Sequence, residues 1–125
     1  MAAERVLLLG AAGQLGYELA ARLQQTPFEW TALTRREVDF SELDALKPLI
    51  EQLKPHWIIN AAAYTAVDKA ESEPDVARCL NATAPAALAQ AAAEVGAWLV
   101  HYSTDYVFNG QGQQPWQEAD PTGPL

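Results

Sequence analysis

Cysteine is nearly absent: Cys79 is the single one in 125 residues. No internal disulfide can form, and nothing points to an oxidising compartment. Basic side chains are scarce too, with 8 Lys+Arg against 16 Asp+Glu and a net charge of −8. That balance argues against nucleic acid, and against an anionic membrane surface, as a partner. It leaves a phosphate ligand open, because backbone dipoles at a helix N-terminus can hold one. No apolar run reaches the length of a membrane span. The first apolar run follows Glu4 and breaks at Gly10, unlike a signal peptide. The cytoplasm is therefore the expected location. The two histidines, His56 and His101, have no second ligand at metal spacing and read as structural. Cys79 reads as a small buried apolar residue on a helix. There is no internal repeat and no low-complexity linker.

What the chain does have is apolar content. Half of it is hydrophobic and 19% is charged, enough for one small domain with a real core. Arg5-Val6-Leu7-Leu8-Leu9 leads into Gly10-Ala11-Ala12-Gly13-Gln14-Leu15-Gly16. Gln14 to Gln25 leads out, with Leu15, Leu19 and Leu23 at helical spacing. Strand, glycine turn and helix form the context of a dinucleotide phosphate loop. Gly10 permits the tight turn, Gly13 lets the backbone touch a pyrophosphate, and Gly16 lets the helix pack closely. Gln14 and Leu15 supply N–H groups at the positive end of the helix. The plainer alternative is a glycine-rich turn that only caps a helix.

Strand and helix then alternate. Trp30 to Leu33 is a second strand. Ser41 reads as a helix N-cap with Asp44 in capping-box position. Leu43, Leu46, Ile50 and Leu53 share one face, and Pro48 predicts a kink or break. Trp57 to Asn60 is a third strand, fully apolar until its last residue. A long helix is predicted from Pro74 to Val95, started by Ser72 and stopped by Gly96. Val76, Leu80, Leu88 and Val95 mark its buried face, and Pro85 frees the carbonyl of Asn81. The acidic cluster Asp68, Glu71, Glu73 and Asp75 reads as a solvated helix start. Ala97 to Tyr102 is a fourth strand, and Asn109 to Leu125 has only turn and loop signals. The fold class is α/β: a Rossmann-like doubly wound parallel sheet, incomplete, with about four strands in the order 3-2-1-4. The far edge of the fourth strand has no partner, and Pro121 to Leu125 stops in mid-loop. The chain is thus expected to be the N-terminal part of a longer protein, with residues 1–125 as its NAD(P)-binding domain and the substrate domain absent.

Ligands of open parallel sheets bind at the carboxyl ends of the strands. Four segments are expected there: the glycine loop, Thr34 to Phe40, Ala61 to Thr65, and Ser103 to Asp105. Where many NAD sites carry an acidic residue, this chain has Thr34, Arg35 and Arg36. A cation suits a 2′-phosphate, so NADPH is tolerated alongside NADH; alternatively both arginines are merely solvated. Asp39 and Phe40 are placed to flank the adenine. The Thr104 hydroxyl, with Asp105 beside it, is placed to hydrogen-bond a substrate carbonyl. Alternatively Ser103 and Thr104 tie down the following turn.

Three motifs together, the glycine loop, Asn60 to Glu71 (Asn-Ala-Ala-Ala-Tyr-Thr-Ala-Val-Asp-Lys-Ala-Glu) and His101 to Phe108 (His-Tyr-Ser-Thr-Asp-Tyr-Val-Phe), resemble the dTDP-4-dehydrorhamnose reductase family of extended short-chain dehydrogenases/reductases. The likeness covers nearly the whole chain. It implies reduction of the C4 ketone of a dTDP-linked 4-keto-6-deoxy sugar with NADPH or NADH, giving dTDP-L-rhamnose for surface polysaccharide such as lipopolysaccharide. It implies that Gly13, Gln14 and Leu15 hold the pyrophosphate, and that Asp39 and Phe40 sit by the adenosine. Ala63, Tyr64 and Thr65 would line the nicotinamide side, with Tyr102 nearby, and Ala61 and Ala62 are counted with them as cofactor-binding residues. Thr104 would be the catalytic hydroxyl, and Thr104 with Asp105 would touch the sugar nucleotide. Some members bind Mg²⁺ at a dimer contact, and Glu18 matches one such position, which implies a metal ligand and a homodimer. The family's Tyr-x-x-x-Lys motif is missing: Tyr64, Tyr102 and Tyr106 have no lysine four residues on. The fragment by itself is therefore expected to be inactive. The same family also resembles the regulatory subunit of methionine adenosyltransferase, a non-catalytic NADP-binding module, which is the competing reading.

Overall fold

A computed structural model describes residues 2–125. A four-stranded parallel sheet forms its centre, from β1 (Arg5–Leu9), β2 (Glu29–Leu33), β3 (Trp57–Asn60) and β4 (Trp98–His101). Its order is β2-β1-β3-β4, with β1 pairing both β2 and β3. The expected 3-2-1-4 order is therefore corrected: the third strand lies on the far side of β1, not outside β2. Side-chain polarity explains the exchange. Trp57-Ile58-Ile59 can be covered on both faces, and Ile58 is fully buried. β2 carries Glu29 and Thr31, both exposed, and so suits an edge.

Helices cover both faces. α1 (Gln14–Leu23) lies over Val6, Leu8, Trp30 and Ile59, with Leu23 buried and Leu19 packed there. α2 (Leu46–Leu53) and α5 (Ala84–Val95) cover the opposite face, where Leu7, Leu9 and Ile58 meet Leu46, Ile50 and Leu88. Strand residues alternate between these clusters because successive side chains point to opposite faces. Nine buried Val, Leu and Ile side chains among the described residues, each contributing roughly 1.5–3 kcal/mol, dominate the stability of such a layer.

Pro48 sits in the first turn of α2, where its missing N–H deprives no helical carbonyl. The expected break is a 3₁₀ turn, Leu43–Ala45, immediately before it. Ser41 is not the N-cap. Its N–H and hydroxyl both donate to Asp39 Oδ1, at 2.8 and 2.7 Å, so Asp39 has captured it in a local turn.

The predicted long helix is present but divided. α3 (Val67–Ser72), not foreseen as separate, precedes α4 (Pro74–Arg78), a π turn over Cys79–Thr83, and α5. Asp68 and Asp75 sit in the first turns of α3 and α4, as the dipole favours. Ser72 does not start the helix; its hydroxyl donates back to the Lys69 carbonyl at 3.0 Å. Gly96 ends α5 in the left-handed conformation, φ 73°. Val76 is exposed rather than buried, because α4 projects past the edge of the core; Leu80, Leu88 and Val95 do pack inward. Cys79 is half-buried, with its thiol 3.1 Å from the Phe40 carbonyl. Beyond β4, a 3₁₀ turn at Asp105–Val107 is followed by irregular chain, held by a Phe108–Trp116 stack with centroids 4.7 Å apart. No helix among the described residues is long and apolar enough to cross a membrane.

Candidate functional site

A hollow of about 520 Å³ opens at the carboxyl ends of the strands. Its size is that of a small-ligand or cofactor pocket. Three of the four expected segments line it: Gly10, Ala12 and Gly13; Thr34, Arg35, Asp39 and Phe40; and Ala61 through Ala66. A smaller hollow of about 150 Å³ lies at the opposite end, between the starts of β1 and β2, and has no nucleophile or phosphate-binding loop.

Each glycine has a distinct reason. Gly10 has φ +78°, and a Cβ there would lie 2.5 Å from the Ala62 backbone nitrogen. The glycine loop and the 61–66 loop can touch only because Gly10 has no side chain. A Cβ on Gly16 would lie 2.0 Å from the Gly10 carbonyl oxygen, so the helix seats directly on the loop. Gly13 differs. It has φ −77°, and a Cβ there would meet only the Gly10 oxygen, at 3.5 Å. The fold leaves room for a side chain at Gly13, and that room borders the hollow.

Gly13 is the N-cap of α1, and no side chain caps that end. The first helical backbone bond is Tyr17 N–H to Gly13 O, at 2.9 Å. The N–H groups of Gln14, Leu15 and Gly16 have no acceptor among the described residues. Three free donors at the positive end of a ten-residue helix make an anion seat. Gln14, Leu15 and Gly16 offer these donors without lining the hollow themselves, and Leu15 is 41% exposed.

The opposite wall is held by two asparagines. Asn60, only 1% exposed, accepts from the Ala62 N–H at 3.2 Å and donates to His101 Nδ1 at 3.2 Å. Asn81, in the π turn, accepts from the Tyr64 N–H at 2.8 Å and donates to the Tyr64 carbonyl at 3.0 Å. Neither was expected as a site residue. A lone amide ending an apolar strand was the available signal for Asn60. Asn81 was singled out only for its carbonyl.

The Tyr64 hydroxyl donates to Glu73 Oε2 at 2.5 Å, and that bond holds its pKa above the ordinary phenol value. Tyr64 is thereby kept protonated. Asp39 is held below the usual carboxylate range by the Ser41 hydroxyl and N–H, which places a fixed anion on the hollow's wall. Phe40 lines the hollow but is 6% exposed and belongs to the core. Thr34 turns its N–H, at 2.7 Å, and its hydroxyl to Glu37.

The fourth segment is not brought into the hollow. Tyr102, Thr104 and Asp105 are exposed just past β4 and do not line it. Thr104 Oγ1 accepts from the Tyr106 N–H at 3.2 Å, so Thr104 does tie down its turn. His56 is structural: its Nδ1 accepts from the Arg5 N–H at 2.9 Å. Glu18 is exposed on α1, and no group of three potential metal ligands occurs among the described residues. The expectation of Mg²⁺ at Glu18 thus finds no support.

Comparison with known proteins agrees with this fold. The family described as RmlD substrate binding domain matches residues 4–125. The dTDP-4-dehydrorhamnose reductase of Salmonella typhimurium is 51% identical over 124 residues, covering 96% of this chain and 41% of that protein. That of Escherichia coli K12 is 48% identical over the same shares. A Bacillus anthracis dTDP-4-dehydrorhamnose reductase structure in complex with NADP superposes with a TM-score of 0.93 at 36% identity, covering 99% of this chain and 44% of that one. A Brucella ovis UDP-glucose 4-epimerase, at 18% identity and TM-score 0.84, shares the fold. The chain spans about 41% of the length of the curated relatives it matches. With a Rossmann-like sheet, an open helix N-terminus and a family match over nearly every residue, the chain belongs to the RmlD substrate binding domain family.

Proposed function

We propose that this chain is the dinucleotide-binding portion of an NAD(P)H-dependent dTDP-4-dehydrorhamnose reductase. The observation that carries the reading is the trio of unpaired N–H groups opening α1, beside a Gly13 whose missing side chain serves nothing inside the protein. Relatives named as that reductase support the substrate class, and the NADP complex of one relative supports the cofactor class. The lone cysteine and the absence of a membrane-length helix among the described residues agree with a cytoplasmic enzyme. No observation favours the regulatory-subunit alternative.

Bound NAD(P)H supplies the hydride for ketone reduction. The chain's own residues bind, orient and hold protons. Gln14 and Leu15 N–H groups receive the pyrophosphate. Thr34, Arg35 and Asp39 border the adenosine side. Ala61, Ala62 and Ala63 keep the wall low so that a flat ring can approach the sheet, while Tyr64 and Thr65 close it. Thr104 Oγ1 accepts from the Tyr106 N–H at 3.2 Å, and its hydroxyl donates to Asp105 Oδ1 over a long 3.5 Å, a bond it can exchange for a better acceptor. That hydrogen is available to the oxygen of a substrate ketone. The test is an amide ¹H–¹⁵N spectrum recorded as NADPH is added. Large shifts are expected at Gln14, Leu15 and Gly16 and small ones at Arg5. Shifts confined to other faces would refute the site.

A further inference from the structure

We infer that the π turn over Cys79–Thr83 is a positioning element that fixes how far apart the two walls of the hollow stand, through Cys79 on one wall and Asn81 on the other. This role rests on the dinucleotide reading above, and it is played through the walls rather than on the ligand. The walls follow β2 and β3, which both flank β1 and do not pair with each other. At the base the glycine loop joins them. The Gly10 and Ala11 N–H groups both donate to the Leu33 carbonyl at 3.1 Å, and Gly10 packs on the Ala62 backbone. Farther along each loop, at Phe40 and Tyr64, no strand pairing joins one wall to the other.

The π turn supplies that join. The Cys79 thiol donates to the Phe40 carbonyl at 3.1 Å. Asn81 holds the Tyr64 N–H at 2.8 Å and the Tyr64 carbonyl at 3.0 Å. Leu80, between them, lines the hollow itself. Residues two apart on a helix point to nearly opposite sides. One turn lying across the hollow therefore reaches both walls while the residue between faces inward. The glycine loop, the first wall, the π turn and the second wall close into a frame. A dinucleotide laid across both walls needs their spacing held. Because both ties leave from one turn, loosening either wall should loosen the other, which two separate braces would not do.

Cys79 is the one cysteine of the 125-residue chain, so its labelling by a maleimide reads this turn with no cofactor present. Asn81→Leu leaves Cys79 and Phe40 untouched. It should nonetheless raise the labelling rate about threefold. Calorimetric titration with ADP then reads the wall that Asn81 does not touch. Asn81→Leu and Cys79→Ala should each weaken ADP by about threefold. The double variant should lose no more than Cys79→Ala alone, because the tie is already cut. Cys79→Ser keeps a donor and should recover most of the loss. Should Asn81→Leu not fold, Asn81→Asp carries the same comparison with smaller changes. A labelling rate and an ADP affinity that Asn81 variants leave at wild-type values would overturn the shared tie and leave the dinucleotide reading standing. A wild type that binds neither ADP nor NADPH ends the dinucleotide reading, and this role with it.

Discussion

Asn81 brackets Tyr64. Its amide oxygen takes the Tyr64 N–H at 2.8 Å, and its amide nitrogen reaches the Tyr64 carbonyl at 3.0 Å. The bracket exists because the helix widens to a π turn over Cys79–Thr83, with the Ala84 N–H reaching the Cys79 carbonyl. Pro85 has no N–H to offer Asn81 O, and the wider turn absorbs that deficit. A helix defect thereby positions a side chain against the wall of the hollow. Asn81→Leu removes both bonds, each worth about 0.5–1.5 kcal/mol. Cofactor affinity should fall about threefold to tenfold, with Asn81→Asp, which keeps the acceptor, in between. Calorimetric titration of the three proteins checks this. Equal affinities would show that Tyr64 needs no bracket.

The glycines should differ sharply in tolerance. Gly16→Ala places a Cβ 2.0 Å from the Gly10 carbonyl oxygen, so backbone must move, at about 1–3 kcal/mol or more. Gly96→Ala meets nothing within 4 Å, and its cost is conformational, about 1–2 kcal/mol for a side chain at φ +73°. Urea unfolding should rank G16A as the more damaging. The reverse order would mean that α1 does not seat on the loop.

Much of this fold is legible in the sequence. The apolar strands, the glycine loop and the stop at Gly96 depend on local chemistry, and each falls where the residues predict. Strand order was not legible, because it depends on whether β2 or β3 better tolerates an edge, a comparison between segments far apart in sequence. Ser41 shows the limit of local rules: a capping pattern is written there, but Asp39, two residues earlier, competes for the same donors. Asn81, Glu37 and Tyr64 act through tertiary or turn contacts that no spacing announces. Thr104 was placed correctly past the fourth strand, yet its exposure and its distance from the hollow depend on how the chain turns after His101.

One ion pair joins the two helices on the same face of the sheet. Lys47 Nζ lies 2.7 Å from Glu94 Oε2, linking α2 to α5. Each partner shifts the other: Glu94 is lowered from 4.5 and Lys47 is raised from 10.5. A lowered carboxyl stabilises the fold above its unfolded value and loses that contribution as pH falls through the native value. A raised amine contributes below its unfolded value and loses it as pH rises through the native one. The pair therefore acts on the plateau between 4.5 and 10.5 and fades outside it. Both groups are exposed, so the effect is small. In a double-mutant cycle of Lys47→Ala and Glu94→Ala, the melting temperatures should couple at neutral pH and become additive in acid. Coupling that persists below the carboxyl titration would contradict the pairing.

Turnover is a separate question from binding. No tyrosine in this chain is followed four residues later by lysine, and Tyr64, the one nearest the hollow, is held protonated by Glu73. A tyrosine that must lend its proton needs a lowered pKa, not a raised one. The 125-residue chain mixed with NADPH and a dTDP-linked 4-keto-6-deoxy sugar should therefore show no sustained loss of reduced-cofactor absorbance. Steady turnover would require another proton donor.

The most direct test is Gly13→Asp, followed in parallel by unfolding and by NADPH titration. Gly13 is an N-cap in extended backbone with room for a side chain, and Asp is a favoured cap that also suits the helix dipole. Stability should hold or rise by several tenths of a kcal/mol. Affinity should drop about tenfold to a hundredfold, because the carboxylate takes the N–H groups meant for the diphosphate and repels it. A stable variant that binds NADPH as well as the wild type would contradict the assignment of this helix end as the anion seat.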